Sequence, residues 1–165
     1  MTLRLRHKWR TLGRMPDLRT DTNTSTSQNP IQVVESFLDA MRAKDVPRGL
    51  ALMSEDVAYQ NVPFPPHHGK ASVERVLSLM ARIPGEIGIQ IHNIAERSGT
   101  VLTERTDSAQ ARFIDLEFWV CGTFEVLDGK IVLWRDHFDL GQVALQLVTS
   151  PLRALVRARP RHSGQ

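Results

Sequence analysis

Phe113-Ile114-Asp115-Leu116-Glu117-Phe118-Trp119-Val120-Cys121-Gly122-Thr123-Phe124-Glu125-Val126 places apolar side chains mainly at even positions. Asp128-Gly129 follows, and then Lys130-Ile131-Val132-Leu133-Trp134-Arg135-Asp136-His137-Phe138. A period of two sustained over such a length is the signature of a strand, and Asp-Gly supplies the positive backbone angles of a tight hairpin turn. This stretch is therefore predicted to be two long antiparallel strands. Upstream, Thr100–Asp107 reads as another strand, joined through a Ser98-Gly99 turn to one carrying Ile87, Ile89 and Ile91 on one face. Downstream, Leu140–Arg157 has a helical pattern that Pro151 is expected to kink or split.

Ordered structure is expected to begin at Asn29-Pro30. Asn29 suits a helix cap, Pro30 its first position, and Gln32 stands three residues after the cap. Val33, Val34, Phe37, Leu38 and Met41 continue as a helical stripe. A helical turn is predicted around Pro47–Met53, a strand over Val57–Val62 ended by Pro63, Pro65 and Pro66, and a helix after Gly69 carrying Val73, Val76, Leu77 and Met80. Helices first and antiparallel strands later predict an α+β domain, its sheet folded over the helices.

A chain of 165 residues suits one domain, taken as 30–158 with a short tail at 159–165. Residues 1–29 are Arg-rich and then Thr/Ser/Asn/Gln-rich, with too little apolar surface to offset the entropy of ordering, and are read as a disordered extension. Such a leader is also compatible with a transit sequence or with a start at Met15. Residues 1–16 hold Arg4, Arg6, Lys8, Arg10 and Arg14 without an acid, so the formal charge of +3 becomes −2 once those five are set aside. No basic groove for nucleic acid is expected in the folded part. The lone Cys121 permits no intrachain disulfide and suits a reducing, cytoplasmic setting. No run approaches the length of a membrane span. His67, His68 and His92 lack a convergent carboxylate or cysteine set, so they are read as surface or loop residues and no metal is expected.

Chemistry is suggested by charges inside apolar strands. In Val101-Leu102-Thr103-Glu104-Arg105-Thr106-Asp107, the period of two puts Arg105 and Asp107 on one face with Val101 and Thr103. Asp136 shares a face with Val132, Trp134 and Phe138, where a carboxylate is costly to bury unless paired. For an arbitrary Arg-x-Asp the ordinary reading is a structural ion pair or a solvated edge. Here Tyr59 and Asn61 add two polar groups on one face of an earlier strand, aimed toward a common point. Phe118, Trp119, Phe124, Trp134 and Phe138 are read as core or pocket wall. Arg153, Arg157, Arg159 and Arg161 are read as a solvated helix face and tail.

Tyr59-Gln60-Asn61-Val62, Leu102-Thr103-Glu104-Arg105-Thr106-Asp107, Phe118-Trp119-Val120-Cys121-Gly122 and Leu133-Trp134-Arg135-Asp136-His137-Phe138-Asp139 resemble, in order and spacing, the limonene-1,2-epoxide hydrolase family. The resemblance runs from about Pro30 to Leu155. It implies a strongly curved mixed sheet forming a cone, of the nuclear transport factor 2 and ketosteroid isomerase group. The N-terminal helices would cover its concave face, a C-terminal helix would follow, and the protein would be a homodimer. It also implies Asp107 as acid, Asp136 as base, Arg105 as the bridge between them, and Tyr59 and Asn61 as holders of the attacking water. No cofactor is implied, and the partners would be a lipophilic epoxide and water. His137 departs from the tyrosine common after the base, but by alternation it faces away from the site. Two rivals are a proton-transfer isomerase of the ketosteroid type and an inert lipid- or steroid-binding module.

Overall fold

The computed structural model describes residues 29–111 and 114–157. The extension over 1–28, Phe113 and the tail from 158 onward, with Arg159 and Arg161, lie outside the described residues, as do the side chains of Arg153 and Arg157. Helix α1, Pro30–Arg42, starts where expected: Oδ1 of Asn29 accepts from the Ile31 N–H at 3.0 Å, and Pro30 occupies the first turn. Its stripe Val33, Val34, Phe37 and Leu38 is fully buried, each side chain contributing about 1.5–3 kcal/mol over exposure.

Helix α2, Val46–Ala51, is capped by Asp45 and ends earlier than the sequence suggests. Met53 opens strand β1, Met53–Val62, because it pairs with Ile131 and is buried against the core. After the proline cluster, His67–His68 forms the two-residue strand β2 on the edge of β1, a strand and not a loop. Helix α3 covers Lys70–Ala81. Strands β3, Glu86–Arg97, β4, Thr100–Ala111, β5, Ile114–Leu127, and β6, Lys130–Phe138, form the meander that period two predicts. The hairpin turns take positive φ at Ser98, Gly99, Asp128 and Gly129. Helix α4, Leu140–Arg157, runs through Pro151 as one element and is not split there.

The strand order is β2-β1-β6-β5-β4-β3. β1 and β6 are parallel and the other pairs antiparallel, so the sheet is mixed. It curls but does not close, and register shifts between Met53 and Ala58, Ile91 and Asn93, and Glu125 and Val126 supply bulges that sharpen its twist. Helix α1 lies across the concave face and α3 packs on β1. Gln146 of α4 grips the backbone of Glu117 on β5 from both sides, at 2.8 and 2.6 Å. Rings pack together in the core: Phe37 meets Phe124 and Trp134 edge-on, and Trp134 lies 4.1 Å from Tyr59, centroid to centroid. Among the described residues no helix is long and apolar enough to cross a membrane.

Candidate active site

Between the helices and the concave face lies a cavity of about 260 Å³. Its walls are apolar: Leu38 and Met41 from α1, Leu77 and Met80 from α3, Ile87 and Ile89 from β3, Phe118 and Val120 from β5, Trp134 and Phe138 from β6, and Val143 from α4. Tyr59, Asn61, Arg105, Asp107 and Asp136, the five residues singled out in the sequence, all line it.

Adjacent strands bring these residues together. Asn61 stands abreast of Asp136, and Tyr59 abreast of Trp134, across the parallel β1–β6 pair. From β4, Arg105 donates through Nε to Asp107 Oδ1 at 2.9 Å and through Nη2 to Asp107 Oδ2 at 3.2 Å. The same Nη2 reaches over β5 to Asp136 Oδ2 at 2.6 Å, and Nη1 donates to Thr103 Oγ1 at 3.1 Å. One guanidinium thus holds two carboxylates that belong to strands separated by a third. Arg105 is 1% exposed, so an unpaired charge there would be strongly destabilising.

The two carboxylates are held differently. Both oxygens of Asp107 are engaged by Arg105, and its side chain is 21% exposed, on the cavity side. Asp136 is 7% exposed, and its Oδ1 is buried without a hydrogen-bond partner among the described residues. Burial raises the Asp107 pKa above the ordinary carboxylate value and outweighs the pull of the Arg105 charge and hydrogen bonds; the Asp136 charge adds to the rise. Burial works to lower the Arg105 pKa, but the charges and hydrogen bonds of Asp136 and Asp107 overcome it, so the guanidinium stays charged. Burial and the Asp136 charge push the Tyr59 phenol well above its usual range, with an Asn61 side-chain hydrogen bond acting the other way. Tyr59 is therefore a neutral hydroxyl at any working pH. The arrangement can hold one proton between two carboxyls beside neutral polar groups that orient a small molecule.

Of the aromatic residues read as core or pocket wall, Phe118, Trp134 and Phe138 line the cavity and Phe124 is core. Trp119 is neither: alternation turns it to the convex face, 47% exposed and stacked on His92. His67 and His68 are exposed, His67 stacking on Tyr59 from the edge strand. Among the described residues, no group of three or more His, Cys, Asp or Glu side chains is placed to hold a metal ion. Two residues of the site escaped the sequence reading. Alternation places Thr103 on the face of Arg105 without a role, and Gly122 lies beneath the guanidinium; the part each plays follows only from cross-strand register.

Residues 28–149 match the limonene-1,2-epoxide hydrolase catalytic domain family. The chain is 41% identical over 109 residues to epoxide hydrolase EphG of Mycobacterium tuberculosis, a match spanning 65% of this chain and 71% of that protein. A solved structure of an LEH-like epoxide hydrolase from M. tuberculosis superposes with a TM-score of 0.70 at 35% identity, covering 78% of this chain and 96% of that one. A SnoaL-like polyketide cyclase from Shewanella putrefaciens, 12% identical, superposes with a TM-score of 0.68 over 77% of this chain and 90% of its own, a likeness of fold alone.

Proposed function

The chain belongs to the limonene-1,2-epoxide hydrolase family and is an epoxide hydrolase, and from that premise we propose that it converts a lipophilic epoxide to a vicinal diol in one step, by general acid and base catalysis. The observation that carries this reading is the single guanidinium shared by two carboxylates inside an apolar cavity. An epoxide oxygen leaves poorly without a proton, and neutral water attacks poorly without a base. Asp107, with its raised pKa, supplies the proton to the epoxide oxygen while ionised Asp136 takes one from water. A bond forms between the water oxygen and one epoxide carbon, the bond from that carbon to the epoxide oxygen breaks, and both oxygens finish as hydroxyls. Tyr59 and Asn61 hold the water beside Asp136. Arg105 keeps the two carboxyls in register and balances the charge as the proton relocates. After turnover the proton resides on Asp136 and must return to Asp107 before the next cycle.

The walls select apolar substrates, and a volume of about 260 Å³ suits a compact, terpene-sized epoxide; a longer one would extend through the mouth. A cytoplasmic setting is part of the reading, since a fold with Cys121 as its one cysteine is built without an intrachain disulfide. So is a homodimer, which would cover convex-face side chains such as Leu102, 53% exposed, and Trp119; sedimentation of the purified protein tests it.

Incubation with limonene, styrene, fatty-acyl and sterol epoxides, with diol measured by mass spectrometry beside Asp107→Asn, tests the reaction. Diol from the parent and not from the variant is expected. Single-turnover hydrolysis in ¹⁸O-water tests the one-step route: label should enter the diol directly, and label in Asp107 or Asp136 would overturn it.

A further inference from the structure

Gly122 lies in the middle of β5, between buried Val120 and Phe124 on the concave face. Its backbone is ordinary strand, without the positive φ found at Gly99 and Gly129, so conformation does not call for glycine here. Space does. Thr103, Gly122 and Asp136 stand abreast on β4, β5 and β6. A Cβ at Gly122 would lie 2.3 Å from Arg105 Nη1, 2.5 Å from Thr103 Oγ1 and 3.0 Å from Asp136 Oδ1. Glycine inside a strand weakens it, and commonly marks a place where something must approach the backbone closely. Here that something is the head group of Arg105, which rises on β4 and must cross β5 to reach Asp136.

We propose that Gly122 is a positioning residue of the reaction: by having no side chain, it leaves open the saddle over β5 through which Arg105 joins the Asp107 carboxyl to the Asp136 carboxyl. Thr103 completes the saddle by fixing Nη1 from the near side. This rests on the acid and base reading above. The titratable and charged groups facing the pair are Arg105 and Asp107 from β4, Asp136 from β6 and Tyr59 from β1; α1 and α3 present Leu38 and Leu77, and the Lys44 ammonium is held by the carbonyls of Ile83 and Gly85.

The test is a double-mutant cycle of Gly122→Ala and Arg105→Lys, since lysine carries no Nη1 for the new methyl to strike. With an epoxide that the parent opens, Gly122→Ala should lower kcat on the order of 10²-fold while KM changes less than about threefold, the pattern of an interaction made in the transition state. The acidic limb of its pH–rate profile should move to higher pH, because a displaced cation favours ionisation of the carboxyl pair less. In the Arg105→Lys background, where only the contacts with Thr103 Oγ1 and Asp136 Oδ1 remain, the same substitution should cost on the order of tenfold less than in the parent. An equal penalty in both backgrounds, or an unmoved pH profile, overturns the proposal. Should Gly122→Ala fold poorly, thermal midpoints read the same cycle: Gly122→Ala should lower the midpoint by less in the Arg105→Lys background than in the parent, and an equal drop in both overturns the proposal. A parent protein that opens no epoxide would defeat the acid and base reading, while the thermal cycle would still judge the saddle.

Discussion

The β4 side of the cavity and the β6–β1 side carry one aspartate each and share one arginine, yet they are built differently. Asp107 is clamped through both oxygens and partly open to the cavity. Asp136 is deeper, gives one oxygen to Arg105, and stands beside Asn61 in a parallel pair. Depth and hydrogen bonding thus give two chemically identical side chains different surroundings, which the proposed reaction uses for opposite tasks. In that proposal the β4 side holds the proton, and the β6–β1 side supplies the neutral groups that orient the water.

Removing either carboxylate breaks that division most severely. Asp107→Asn and Asp136→Asn should each lower kcat/KM by about 10²–10⁴-fold, read as diol formed per unit time. Because the two act as one unit, the double variant should be scarcely worse than the worse single. Either variant retaining most of its activity would show that its side of the cavity has no chemical role.

Removing the shared cation tests the two sides together. Arg105→Met leaves two carboxylates in an apolar site and should cost about 3–5 kcal/mol of stability near pH 8, measured by urea unfolding. The Asp107 pKa is raised in the folded protein even with the arginine present. A carboxyl raised on folding favours the native state at pH below its unfolded value, and that contribution is lost as pH rises through the folded value. Without Arg105 the rise is larger, so the deficit of the variant should shrink as pH is lowered toward the ordinary carboxylate range. A deficit independent of pH would mean that Arg105 acts by packing and not by charge.

A narrower probe separates water-holding from proton-holding. Tyr59→Phe keeps the tilted ring contact with Trp134 and removes the hydroxyl, so kcat should fall about 10-fold or more with KM little changed, as expected when orientation and not binding is lost. An equal loss in KM would move Tyr59 from the water to the substrate.

Much of this division is legible in the sequence, because a strand's period of two sorts side chains by face with no further information. Arg105, Asp107, Asp136, Tyr59 and Asn61 fall on apolar faces for that reason, and Lys130–Phe138 is bounded as predicted. Three features resist the same reading. Glu55 and Asp56 disguise the first half of β1, since only its pairing with β6 makes Met53 a strand residue. His67–His68 is a strand only because β1 is beside it. Gly122 looks like a defect until register stacks it between Thr103 and Asp136. Each depends on a partner strand, which the pattern within one segment cannot supply.

The smallest effect expected is also the sharpest check on the sorting by face. His137 follows Asp136 directly and stands abreast of Val62 on one side and Cys121 on the other. It is exposed on the surface opposite the cavity. Separation by one residue along a strand is separation by the full thickness of the sheet, so its imidazole has no path to the carboxyl pair. His137→Tyr should leave kcat/KM within about twofold and stability within about 0.5 kcal/mol, as for surface substitutions generally. Parallel pH–rate profiles of the two proteins would make the comparison. A changed limb would mean that the convex face reaches the chemistry, and that Asp136 is not isolated behind β6.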